Sequence, residues 1–169
     1  MNIDLYAADE QDYVKMDLAK WSDLARSALY EEGVRGSAEV SLIFADESTI
    51  AELNERFMGK SGPTDVLSFP IDDEPISSGR FPDAGGTGPG EDAEVDIPQL
   101  VGDIVICPAV AARNAVDHEV TFEDEVALLV VHGVLHLLGW DHMVDDEAEK
   151  MEAREQELLQ RYYRLRVVK

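Results

Sequence analysis

From Ser37 to Phe44 the apolar residues Ala38, Val40, Leu42 and Phe44 alternate with Ser37, Glu39 and Ser41, the period-two pattern of a strand with one buried face. A shorter apolar segment, Ile3 to Tyr6, predicts another strand. Between them the spacing changes: Leu18, Trp21, Ala25, Ala28 and Leu29 recur at helical intervals, and Gly33 ends the run. Asp46 is placed to cap a second helix with Ile50, Leu53 and Phe57 on one face, closed by Gly59. The segment DVLSFP, flanked by Pro63 and ending at Pro70, reads as a short strand with one free side, since proline cannot donate to a ladder. Leu100 to Cys107 is apolar on both faces and predicts a buried strand, followed by a helix that Pro108 opens at its first turn.

Thr121 caps the next helix, with Asp124 at the capping-box position. Val126, Leu129, Val130, Leu135 and Leu137 make that helix apolar nearly all round, which predicts a central buried element. A last helix from about Asp145 offers Ala148, Met151, Leu158, Leu159 and Tyr162 as its inner face, with acid in its first turns and Arg161, Arg164 and Arg166 near its end, in keeping with the helix dipole. There is no internal repeat. The order of elements predicts an α+β fold: a single domain over residues 1–169, built on a small mixed four-stranded sheet covered by about five helices.

Composition changes this picture in one region and restricts it elsewhere. From about 72 to 98 the chain turns to Gly, Pro, Asp and Glu, a flexible acidic loop longer than the usual connection in a compact domain. No segment is apolar for long enough to cross a bilayer, and the opening MNIDLYAADE has neither a basic nor an apolar signal region. The expectation is a cytoplasmic protein without membrane partner. Cys107 is the only cysteine, so an intrachain disulfide is excluded, and its place at the end of an apolar strand predicts a buried thiol. The formal charge of −22 speaks against a simple polyanion binder, although Arg56 and Lys60 leave room for a local basic strip.

The candidate chemistry lies in HGVLHLLGWDH, which holds three of the four histidines. His132 and His136 are one turn apart, so on a helix their imidazoles leave the same face about 40° apart in azimuth. Gly139 can end the helix in the left-handed conformation and turn the chain back, so that His142 offers a third nitrogen. Three imidazoles without a thiolate suit one Zn²⁺ or a neighbouring divalent ion and leave a fourth position for water, whose pKa the metal would lower towards neutrality. The site is thus expected at the end of the central helix. Zinc peptidases share the spacing but place a general-base Glu directly after the first His, where this chain has Gly133. A glycine in a helix interior costs about 1 kcal/mol relative to Ala, so a packing or access reason is expected. Asp141 can serve as a partner to the third ligand, as a proton acceptor, or as an ordinary loop aspartate.

Together with GPTDVLSFP, GDIVIC and FEDEVALLVVHG, in that order along the chain, HGVLHLLGWDH resembles the bacterial YbeY family of rRNA-maturation endoribonucleases over Ser37 to about Asp146. The resemblance implies an α+β fold, one zinc ion held by His132, His136 and His142, and cleavage of single-stranded RNA. It also implies a role in small-subunit rRNA 3′-end maturation and ribosome quality control, with rRNA and the small subunit or its proteins as partners. Asp65 and Ser68 would border the cleft, although turn capping and strand packing explain the same residues. Many members carry Arg before the Gly-Lys pair where this chain has Met58, so Arg56 or Lys60 would supply the charge. Relative to shorter members the acidic loop is an insertion. Two other readings remain at this stage: a non-catalytic ribosome-assembly factor with structural zinc, and a metal hydrolase of another substrate.

Overall fold

The computed structural model describes residues 2–34, 37–70, 99–139 and 145–164. Its frame is a four-stranded mixed sheet of β1 (Asn2–Glu10), β2 (Ser37–Ala45), β3 (Val66–Pro70) and β4 (Gln99–Ile106), in the order β1-β2-β4-β3. The first two pairings are parallel and β3 runs antiparallel to β4. β3 is therefore an edge strand, as its two prolines predict. The N-terminal strand is longer than Ile3 to Tyr6, because all nine of its residues pair with β2.

Five α-helices accompany the sheet among the described residues: α1 (Leu18–Glu31), α2 (Glu47–Leu53), α3 (Pro108–His118), α4 (Phe122–Leu137) and α5 (Asp145–Leu159). Their starts follow the local chemistry. The Asp17, Asp46 and Thr121 side chains accept from the backbone N–H three residues on, and Pro108 takes the first turn of α3. The Asp124 carboxylate accepts from the Tyr163 hydroxyl at 3.0 Å, so it ties α4 to the C-terminal segment.

The sheet separates two apolar clusters. On the larger side Val40, Leu42, Phe44, Ile104 and Ile106 meet α1, α4 and α5, and Phe44, Leu42, Ile104 and Ile106 are 0% exposed. On the other side Ile50, Leu67, Val105, Cys107 and Val110 form a smaller core. Alternation along β4 thus buries both of its faces, as its continuous apolar run predicts. The Cys107 thiol is fully buried, and that burial raises its pKa above the ordinary value.

One expectation about a helix face is corrected. Phe57, assigned to the inner face after Ile50 and Leu53, is 57% exposed. α2 passes at Asn54 into a π-helical turn, π1 (Asn54–Met58), ended by Gly59 at φ +70°. The wider turn rotates the residues after Asn54 relative to a 3.6-residue helix, whereas Asn54 itself, one turn after Ile50, is buried, its amide donating to the Gly62 carbonyl at 2.9 Å. Phe57 meets Phe69 edge-on at 5.4 Å between centroids. A second π-helical turn, π2 (Gln160–Arg164), follows α5; there Tyr163 is buried, and Tyr162, half-buried, packs against the main core as expected. Tyr163 stacks on Trp21 of α1 at 6.2 Å.

α5 is further locked to the end of α1. Arg154 pairs with Glu32 and with Glu157, Arg161 donates to Glu31 at 2.8 Å, and the Tyr162 hydroxyl donates to the other Glu31 oxygen at 2.6 Å. These contacts set the rotation of α5 about its axis. The acidic stretch at about 72–98, Asp141 and His142, and Arg166 lie outside the described residues.

Candidate metal centre

α4 is the element on which the site is mounted. Its inner residues Val126, Val130, Val131, Val134 and Leu135 are all 0% exposed, so the helix cannot rotate without opening the core. His132 and His136 emerge from it on a common side, half-buried, with ring centroids 4.5 Å apart and planes inclined by 76°. The i, i+4 spacing therefore brings the two imidazoles together as predicted. Beyond them α4 ends as expected: Gly139 has φ +101° and its N–H donates to the His136 carbonyl at 3.0 Å.

Gly133 lies between the histidines against the sheet. A Cβ added there would stand 2.7 Å from the Ile104 Cγ2 and 3.5 Å from the Ser68 Oγ. Ile104 is fully buried and has no room to yield. The expected reason for glycine in a helix interior is thus packing: it lets α4 approach β4. Gly102 serves the same approach from the sheet side, at φ +143°, where a Cβ would collide with the Phe69 carbonyl and lie 2.9 Å from Leu137 Cδ1.

The residues of the DVLSFP element take separate places. Ser68 donates to the Gly133 carbonyl at 3.0 Å and so ties the edge strand to the helix beside His132. Asp65 is directed to α3: one oxygen accepts from the Val66 N–H at 2.8 Å, the other from Asn114 Nδ2 at 3.0 Å. Arg56 and Lys60 are exposed at the end of π1, and the Arg56 guanidinium lies 5.8 Å from the Phe57 ring centroid. Met58 is also exposed.

One residue of the site is absent from the sequence reading. The His132 Nδ1 lies 2.5 Å from Oε2 of Glu155, whose side chain is only 7% exposed. Glu155 sits on α5, one turn after Met151 and one before Leu158 and Leu159, in the apolar stripe of that helix. A carboxylate in such a stripe was the available signal, because a buried charge requires a partner.

A second buried carboxylate, Glu125 near the start of α4, meets His118 Nδ1 at 2.9 Å. The hydrogen bond to Glu125 raises the His118 pKa above its ordinary 6.5. A raised folded-state pKa contributes stability that is present in full below the unfolded value and is lost as pH rises through the folded one. The stability advantage of the wild type over His118→Gln, read by urea unfolding, is accordingly expected to be larger at about pH 5.5 than at about pH 8.5. An advantage that grows with pH would contradict this pairing.

The donor set suits a borderline divalent ion: two imidazoles on one rigid helix face, one with its Nδ1 engaged by a carboxylate. Among the described residues no group of three metal-ligating side chains is assembled, and His142 lies outside them.

Comparison with solved structures gives the class first. The solution structure of TM1509 from Thermotoga maritima matches with a TM-score of 0.52 and 27% identity, over 92% of this chain and 89% of that one, and shares the α+β architecture. The family profile of Endoribonuclease YbeY matches residues 6–163. A Salinispora tropica protein of that name is 47% identical over 137 residues, covering 80% of this chain and 82% of its own. One from Acidothermus cellulolyticus is 42% identical over 149 residues, covering 86% and 84% respectively. The chain belongs to the endoribonuclease YbeY family. No helix among the described residues is long and apolar enough to cross a membrane.

Proposed function

We propose that this protein is a zinc-dependent endoribonuclease that hydrolyses single-stranded RNA, with His132, His136 and His142 as the metal ligands. The observation that carries the reading is the convergence of the His132 and His136 rings on a buried helix of a chain belonging to an endoribonuclease family. When bound, the ion supplies Lewis-acid polarisation of the scissile phosphodiester and of the attacking water. The chain's own residues do the rest. α4 holds the two imidazoles at a fixed separation, and the Ser68 hydroxyl anchors the edge strand beside them. Arg56 and Lys60, exposed at the end of π1 on the segment that leads into that strand, would hold RNA phosphates.

The family resemblance extends the proposal to the 3′ end of small-subunit rRNA as substrate, with the small subunit or its proteins as partners in the cytoplasm. The net charge of −22 supports a dependence on such partners, since naked RNA is repelled by the body of the protein. The test is cleavage of an end-labelled single-stranded RNA with the metal-loaded protein, after chelation, and after zinc is restored. Cleavage should vanish on chelation and return with zinc, leaving ends without a 2′,3′-cyclic phosphate. Cyclic ends would instead assign the attack to the RNA's own 2′-hydroxyl. Metal-loaded protein without cleavage would point to a non-catalytic assembly factor, the reading that Met58 in place of Arg favours.

A further inference from the structure

We infer that Glu155 is the positioning residue of the metal centre: it accepts a hydrogen bond from the His132 Nδ1–H and thereby presents Nε2 to the ion. This rests on the metal reading proposed above. An imidazole has two nitrogens, and a neutral ring carries its proton on one of them. A carboxylate oxygen 2.5 Å from Nδ1 favours the tautomer with the proton there, which puts the coordinating lone pair on Nε2 and makes the ring a better donor.

The environment favours this role over a surface ion pair. The Glu155 side chain is 7% exposed and that of His132 25%, so solvent screens their interaction little. Glu155 cannot easily turn away, because α5 is fixed at successive turns. Arg154 is bound to Glu32, Leu158 and Leu159 are buried, and Tyr163 is held by Trp21 and Asp124. The α1–α5 contacts therefore reach the metal site through one side chain. The carboxylate also comes from a different helix than the imidazole, so the metal site and the α4–α5 packing are coupled.

The alternative is a buried pair that only fastens α5 to α4, and the two roles separate on metal affinity. Zinc affinity is measured by competition with a chromophoric chelator for the wild type, Glu155→Gln and Glu155→Ala, alongside thermal melting of each metal-free protein. The His132 tautomer is read in the metal-free proteins by long-range ¹H–¹⁵N correlation. Glu155→Ala is expected to bind zinc about 10- to 100-fold more weakly and to lose the Nδ1–H tautomer as the dominant form. Glu155→Gln keeps an acceptor oxygen but loses the charge, so it should weaken binding by about 10-fold and preserve folding if the alanine variant does not. Either variant, folded and binding zinc as tightly as the wild type, overturns the assignment. Wild-type protein that binds no zinc overturns the metal reading along with it, an outcome distinct from intact binding in the variants.

Discussion

His136→Ala is expected to lose its zinc on dialysis and to cleave single-stranded RNA about 10³-fold more slowly than the wild type, while remaining folded. His136 is half-buried near the end of α4, so its truncation removes a ligand without opening the core around Val130 and Val134. Loss of a group that stabilises transition-state charge typically costs about 10²- to 10³-fold in rate. Loss of the ion removes that stabilisation together with the activation of water, which places the effect at the upper end. In affinity the loss should exceed about 100-fold, the upper range for a residue that only positions a ligand. The ordering His136→Ala, then Glu155→Ala, then Glu155→Gln follows from direct against indirect contact with the ion. Metal analysis after dialysis and single-turnover cleavage check it. A His136→Ala protein that retains one zinc per chain and cleaves at the wild-type rate would remove the site.

The largest effect on stability is expected at Gly102. Alanine there is strained by φ +143°, and its Cβ would strike the Phe69 carbonyl while lying 2.9 Å from both Pro70 Cα and Leu137 Cδ1. Two of these neighbours are backbone atoms and cannot rotate away. Backbone strain of about 1–3 kcal/mol adds to an overpacking cost of about 1–3 kcal/mol, so Gly102→Ala should lose about 3 kcal/mol or more in urea unfolding. Gly133→Ala is the informative comparison. The gain in helix propensity is about 1 kcal/mol, but the Cβ would lie 2.7 Å from Ile104, which is enclosed by the core. The net loss should be about 1–2 kcal/mol, with α4 displaced from the sheet and His132 with it. If Gly133→Ala were instead more stable by the propensity difference, the packing account of this glycine would fail. Both measurements belong on metal-free protein, because bound zinc would add its own linkage to the unfolding free energy.

Much of this architecture follows from periodicity. The alternation at Ala38 to Phe44, the two-faced apolar run at Leu100 to Cys107 and the near-continuous apolar surface of α4 correspond to a central sheet with one buried helix upon it. The caps at Asp46 and Thr121 and the Pro108 start were legible because each satisfies free N–H groups of a helix start or spares one, using residues within a turn. Phe57 was misassigned to an inner face because it follows a passage from α- to π-helical geometry, which a 3.6-residue period does not represent.

The candidate site divides in the same way. His132 and His136 belong to one helix, and four residues of separation suffice to align them, so local geometry alone assembles that half. Gly133 marked a close approach in the sequence, but only the packed sheet identified Ile104 as the side chain it accommodates. The resemblance carried by HGVLHLLGWDH, GDIVIC and GPTDVLSFP likewise led to the family that the comparisons bear out. Glu155 could not be placed from the chain. Its distance from His132 depends on the α4–α5 crossing and on a helix rotation set by Arg154, Arg161 and Tyr163 against α1. Short-range spacing carries the information for ligands that share a helix, whereas the carboxylate that orients one of them depends on contacts between elements distant in the chain.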